Sequence, residues 1–293
     1  MSAANETSEA VHYSVVHTTE YRYSSEVSDQ HNAIRVRPAN GGGQELEGFD
    51  VTIDPGARLY EHTDYFGTEV IQFAISGRHD HLSIRAEARV RVSAPETPPD
   101  PDWEQLTTDA YAEEGAEYLG PLDPPANPER ITELVAEARG GTPLQMLTTI
   151  CNLIPDRFEY RAGVTYVGST VNDLLAGGAG VCQDFVHLAL TMMRREGIAC
   201  RYVSGYLYVA NGADGASAEV NTHAWLEALL PDADGKPRWI GADPTNRTLT
   251  GTSYVKIGHG RAYSDVPPIR GVYRGTGRAA LDSNVVMTKL GTE

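Results

Sequence analysis

Cysteine is scarce in this 293-residue chain, with one residue at each of positions 151, 182 and 200. An odd and sparse set does not build a disulfide framework, so free thiols in a reducing compartment are expected. Long apolar runs are missing too. No stretch approaches the roughly 18 consecutive apolar residues that cross a bilayer. The opening segment, Met1 to Ala10, has neither the basic nor the apolar part of a secretory signal. Together these absences predict a cytoplasmic protein. Positive charge is in deficit, with 24 Lys+Arg against 40 Asp+Glu and a formal charge of -16. Such a surface repels phosphate backbones and anionic lipid. No basic patch overrides it, because Arg85, Arg89 and Arg91 share a strand face with Glu87. Neither nucleic acid nor a membrane is an expected partner.

Cofactor motifs are equally thin. His79-Asp80-His81 puts two imidazoles on one strand face without a third ligand at metal spacing, and reads as surface or turn. Asp232-Ala-Asp234-Gly is too short for an EF-hand loop and reads as a hairpin turn. There is no P-loop and no GxGxxG after a strand. No metal or cofactor is expected.

What the chain does have is 41% hydrophobic and 22% charged residues, enough for a packed core. The first part alternates with period two. Val11, Tyr13, Val15, His17, Thr19, Tyr21 and Tyr23 share one strand face, and Leu82, Ile84, Ala86, Ala88, Val90 and Val92 repeat the pattern. Shorter strands are expected at Ala33–Arg37, Phe49–Ile53 and Val70–Ile75. This describes an antiparallel β-sandwich-like domain over 1–95. A Pro-rich break at 94–101 opens a linker and connecting helix, 96–126.

From 127 to 293 the pattern is helices, then strands, hence α+β. Asn127-Pro128-Glu129, Thr142-Pro143 and Thr170 with Asp173 are helix starts. A further helix runs from Cys182, with Phe185, Leu188, Ala189 and Met192 at helical spacing. Strands follow at Ala199–Val209, Thr222–Leu230 and Arg238–Ala242, joined by Asn211-Gly212 and Asp234-Gly235 turns. The tail after Gly258 is too irregular to assign.

Chemistry points to Gly177-Gly-Ala-Gly-Val-Cys182-Gln-Asp-Phe. A cysteine on the first helical turn lies at unpaired N–H groups and the positive end of the dipole, which stabilise a thiolate. Its own N–H could help hold an oxyanion. Cys151 and Cys200, mid-helix and mid-strand, fit core filling instead. A thiolate needs a base and an orienter. His223 begins one strand and Asp243 ends the next, so a hairpin over Pro231–Lys236 would bring them to one edge. Taken singly, each also reads as an ordinary edge histidine and turn aspartate. Asp184 lies about 200° round the helix from Cys182 and His187 about 140°, which suits structural roles for both.

GVCQDF, a helix, the strand Ala199–Tyr206, then THAW and DPTN resemble, in order and on matching elements, the transglutaminase-like superfamily of papain-like cysteine enzymes. The alternating N-terminal sheet and the tail around Ile257-Gly258-His-Gly-Arg261 resemble bacterial members of that family, although an acidic residue commonly follows the arginine there. The resemblance implies a papain-like catalytic domain with Cys182 as nucleophile, His223 as base and Asp243 as orienter. It makes Gln183 and Asp184 site-adjacent; Trp225, next to His223, is expected to wall the site, and Tyr160 and Tyr166, which precede the cysteine segment, to contact substrate. The implied reaction is thiol-dependent cleavage of an amide bond in a peptide or protein. Hydrolysis is expected over acyl transfer to an amine, since the calcium-ligand cluster of calcium-regulated crosslinking enzymes is not legible. A non-catalytic binding module on the same fold is the rival, opposed by the presence of all three residues.

Overall fold

The computed structural model describes residues 9–122, 124, 126–166, 168–210, 217–220 and 222–292. The alternating first segment is one strand of 24 residues, β1 (Val11–Ile34), whose inward face carries Val11, Tyr13, Val15 and His17. It is followed by β2 (Gln44–Asp54), β3 (Leu59–Thr63), β4 (Glu69–Ile75) and β5 (His79–Val92). The strand expected at Ala33–Arg37 is in part the end of β1. Between Arg22 and Val27 the register shifts, and past that point β1 leaves β5 and pairs with β4. One strand thereby serves two ladders, and the sheet curls around Ile34, Ile53, Phe73 and Leu82.

The same irregularity corrects the reading of His79. Paired with Val27 beyond the shift, His79 turns inward, and its Nε2 lies 2.7 Å from Gln30 Oε1. His81 stays at the surface beside Asp80 and Asp54.

The connecting segment contains α1 (Asp109–Gly115). Four helices follow: α2 (Pro128–Ala138), α3 (Pro143–Arg157), α4 (Val171–Gly177) and α5 (Cys182–Arg195). Their starts are fixed by side-chain oxygens that take otherwise unpaired backbone donors. Asn127 Oδ1 accepts from the N–H groups of Glu129 and Arg130, each at 3.0 Å. Thr142 accepts from Gln145, and Thr170 and Asp173 cap each other. Gly178, at φ 69°, closes α4 in the left-handed conformation that glycine adopts without strain. Between the helices, β6 (Glu159–Tyr160) pairs in parallel with β7 (Ala179–Gly180).

The second sheet has the order β12-β11-β10-β8-β13. Its strands are β8 (Cys200–Leu207), β10 (Thr222–Pro231), β11 (Pro237–Asp243), β12 (Thr248–Leu249) and β13 (Tyr254–Gly260). β10 and β11 form the expected hairpin, closed by Gly235 and by Asp232 Oδ1, which accepts from the N–H groups of Asp234 and Lys236. The Asn211-Gly212 turn lies outside the described residues. Helix α5 is buried against this sheet, with Phe185, Leu188, Leu190, Met192 and Met193 all 0% exposed. Each such side chain contributes about 1.5–3 kcal/mol of burial, which makes α5 a rigid post.

The unassigned tail is regular. After β13, β14 (Ile269–Arg274) and β15 (Ala279–Thr292) return to the first sheet, both pairing with β1. β9 (Ser217–Val220) adds beyond β15. The two sheets then share a core in which Tyr13, Val15, Val285 and Met287 meet Tyr206, Val255 and Ile257. Polar groups lock the junction. The Tyr206 hydroxyl donates to Val36 O at 3.1 Å and pairs with His17 Nδ1 at 3.0 Å, and the Gln44 amide bonds both backbone groups of Lys256. Burial holds His17 neutral, with its pKa pushed down to about 4.

Candidate active site

Cys182 is the first residue of α5, and of the three cysteines it alone is not fully buried. Burial pushes the Cys151 thiol up to about 12 and Cys200 up to about 11. The start of α5 is held by Asp184. Its Oδ2 accepts from the Val181 N–H at 2.8 Å and from the Thr165 hydroxyl at 2.7 Å. Asp184 therefore fixes the helix terminus and ties Thr165 to it. Gln183, the second residue of α5, is half-buried.

His223 sits opposite Gly205 on the neighbouring strand β8. A side chain at position 205 would collide with Trp225, since a Cβ there lies 2.4 Å from the indole. Glycine thus leaves room for Trp225, 2% exposed, which stacks at 6.4 Å from the His223 ring and meets Tyr254 edge-on at 5.4 Å. The hairpin brings His223 Nε2 to 2.8 Å from Asp243 Oδ2. Cys182 is near enough to His223 for its charge to act on the ring. With Nε2 committed to Asp243, the nitrogen left for the sulfur is Nδ1. Burial opposes a charge on the ring, but the hydrogen bond to Asp243 and the negative charge of Asp243 and Cys182 outweigh it and lift His223 to about 9.

Asp243 is 0% exposed. Burial alone would raise its pKa, but the donors around it win and hold it below the usual carboxylate range. Oδ2 takes His223, the Asn246 amide at 2.7 Å and the Tyr254 hydroxyl at 2.8 Å, while Oδ1 takes the N–H groups of Thr245 and Asn246. Sequence reasoning missed Tyr254 and Asn246. Asn246 carried a local signal, three residues after an aspartate in an Asp-Pro-Thr-Asn turn; Tyr254 carried none, since only the sheet brings it close.

Tyr160, in β6, places its ring edge-on to Phe185 at 6.0 Å. Tyr166 is 75% exposed on the loop anchored by Thr165. His187 Nε2 accepts from the Tyr263 N–H at 3.2 Å, and burial lowers it to about 4. Among the described residues, no group of three or more His, Cys, Asp or Glu is arranged to hold a metal, and no helix is long and apolar enough to cross a membrane.

Residues 13–91 match the bacterial transglutaminase-like N-terminal region, and residues 132–244 match the transglutaminase-like superfamily core. An uncharacterized protein of Mycobacterium tuberculosis is 34% identical over 293 residues, covering 93% of this chain and 91% of the relative. One from Mycobacterium leprae is 32% identical over 279 residues, covering 94% and 98%. Among solved structures, a candidate cysteine protease from Cytophaga hutchinsonii superposes with a TM-score of 0.77 at 21% identity, over 97% of this chain and 92% of that one. The fold is thus the papain-like α+β arrangement preceded by a curled antiparallel sheet. Both halves match, and relatives align along nearly the whole length: the chain belongs to the transglutaminase-like superfamily.

Proposed function

We propose that the protein cleaves an amide bond in a peptide or protein substrate through a thioester on Cys182, with water as final acceptor. The observation that carries this reading is His223, whose Nε2 lies 2.8 Å from the fully buried carboxylate of Asp243 and whose pKa the charges of Asp243 and Cys182 raise to about 9. At neutral pH such a ring is an imidazolium, and a cation facing the sulfur favours its anionic, nucleophilic form. Attack on the amide carbonyl forms a tetrahedral intermediate. Its oxyanion lies toward the Cys182 N–H, where the α5 dipole favours negative charge. His223 gives its proton to the leaving amine as the carbon–nitrogen bond breaks. The neutral ring then takes a proton from water, whose oxygen attacks the thioester and releases the acid. Asp243 holds the ring in place and offsets its charge throughout.

Tyr160, Val164 and Tyr166, all substantially exposed, follow one another along the segment that Thr165 ties to α5. They offer an apolar wall to a substrate side chain. An amine in place of water would make a new amide from the same thioester. The description of the Cytophaga hutchinsonii neighbour as a candidate protease supports water.

The test is mass analysis of products from a peptide and isopeptide library, with and without a primary amine. Acid products, absent with Cys182→Ala, are expected. Dominant amine adducts would overturn hydrolysis, and undiminished cleavage by Cys182→Ala would overturn the nucleophile.

A further inference from the structure

We propose that Tyr254 is a positioning residue of this site, its hydroxyl sharing the carboxylate oxygen that holds His223 and so limiting how tightly that ring keeps its proton. The inference deepens the thioester reading above, because that proton is the one His223 gives to the leaving amine. In the second sheet β10 and β8 lie between Asp243, at the end of β11, and Tyr254, at the start of β13. The phenol nevertheless reaches Asp243 Oδ2 at 2.8 Å. It is a fixed donor. Tyr254 is 8% exposed, edge-on to Trp225 at 5.4 Å, and its strand is held from the first sheet. Gln44 bonds both backbone groups of Lys256, the Ala39 N–H donates to Lys256 O at 2.8 Å, and Val255 and Ile257 sit in the core that the two sheets share. Burial, then the charge of Asp243, raise the Tyr254 pKa from its ordinary value, so the proton stays on the phenol.

The oxygen it meets is crowded with donors. His223 Nε2 at 2.8 Å, the Asn246 amide at 2.7 Å and the Tyr254 hydroxyl at 2.8 Å converge on Oδ2, which has two lone-pair directions. The other oxygen gives no relief, since Oδ1 already takes the N–H groups of Thr245 and Asn246. Each donor on Oδ2 draws off part of the charge that the ring would otherwise feel. Its effect is largest once His223 has lost its proton, for the carboxylate then lacks its cation. Tyr254 therefore favours the neutral ring, and with it release of the proton. The other titratable groups whose charges reach this pair are Cys182 on α5, Cys151 on α3 and Tyr160 on β6. Burial keeps Cys151 and Tyr160 protonated. Tyr254 thus acts on a charge set made of Asp243, His223 and Cys182.

The test follows the His223 ring by NMR through its titration in wild type, Tyr254→Phe and Asn246→Ala, its signal assigned by its loss in His223→Gln. No substrate enters, so the outcome is separate from that of the product analysis, which tests the thioester. Tyr254→Phe keeps the ring that packs on Trp225 and removes only the competing donor. His223 is expected to titrate higher in it, by up to roughly one pH unit, the effect of one hydrogen bond. Asn246→Ala, which strips another donor from the same oxygen, should move it the same way. An unchanged midpoint in Tyr254→Phe would overturn the proposal. So would a midpoint that falls toward the ordinary 6.5, which marks a merely structural residue whose loss loosens the site.

Discussion

Val15, near the start of the chain, faces Met287, near its end, as an in-register pair on the antiparallel strands β1 and β15. The helices and the second sheet lie between them in sequence, so the first sheet closes only when both termini are present. Removing residues 1–101 would strip β15 of β1 and bare Val285 and Met287, both 0% exposed. The 102–293 fragment is expected to lose cooperative urea unfolding and to aggregate at concentrations where the full chain is soluble. A fragment with the full chain's midpoint and slope would contradict this.

Tyr206 binds the two sheets through one oxygen, which serves Val36 O and His17 Nδ1. Tyr206→Phe keeps the ring and leaves two buried polar atoms without that partner, a cost of about 1–3 kcal/mol. Equilibrium urea unfolding should report a loss in that range with the slope unchanged. A variant as stable as wild type would mean that water or another group replaces the hydroxyl.

The buried imidazoles give stability two pH arms. His17 and His187 are held near 4, so below the ordinary histidine value of 6.5 the unfolded chain binds protons that the folded protein refuses. Stability should fall from pH 6.5 toward 4. His223 has the opposite sign. Raised to about 9, its contribution is complete below 6.5 and is lost as pH rises through 9. The stability gap between wild type and His223→Gln should therefore shrink from pH 6.5 to 9 in urea titrations. A gap that widens over this range would refute the raised value.

Legibility in the sequence followed locality. Asn127, Thr142 and Thr170 announced their helices because a cap and the donors it serves lie within three residues of one another. Cys182, His223 and Asp243 stand out together only through the resemblance of their motifs to the transglutaminase-like superfamily; locally the sequence shows just the short hairpin that joins the last two. The tail hid its strands because β15 has only two buried apolar residues, Val285 and Met287, and takes its partner from the far end of the chain. His79 was misread for a related reason: a register shift on the partner strand, invisible in its own alternation, decides which way it points. Tyr254 reaches Asp243 only across the sheet.

Asp243→Asn tests the orienter. Oδ2 now accepts from three donors, His223, Asn246 and Tyr254. An asparagine NH₂ at that position would meet donors with a donor, and its oxygen there would carry no charge to set against the imidazolium. Turnover should fall by on the order of 10² to 10⁴, and the His223 imidazole should titrate lower than wild type when followed by NMR. An unshifted titration would remove Asp243 from the site.

The central claim, that a protonated His223 holds Cys182 ready to react, is tested most directly by peptide-mapped iodoacetamide labelling across pH 6 to 10. In wild type at pH 7, Cys182 should be labelled well before the buried Cys151 and Cys200. In His223→Gln the Cys182 rate at pH 7 should drop at least about 10-fold, with the gap closing toward pH 10, where thiols ionise unaided. Superimposable Cys182 profiles in the two proteins, or equal slow labelling of all three cysteines in wild type, would contradict it.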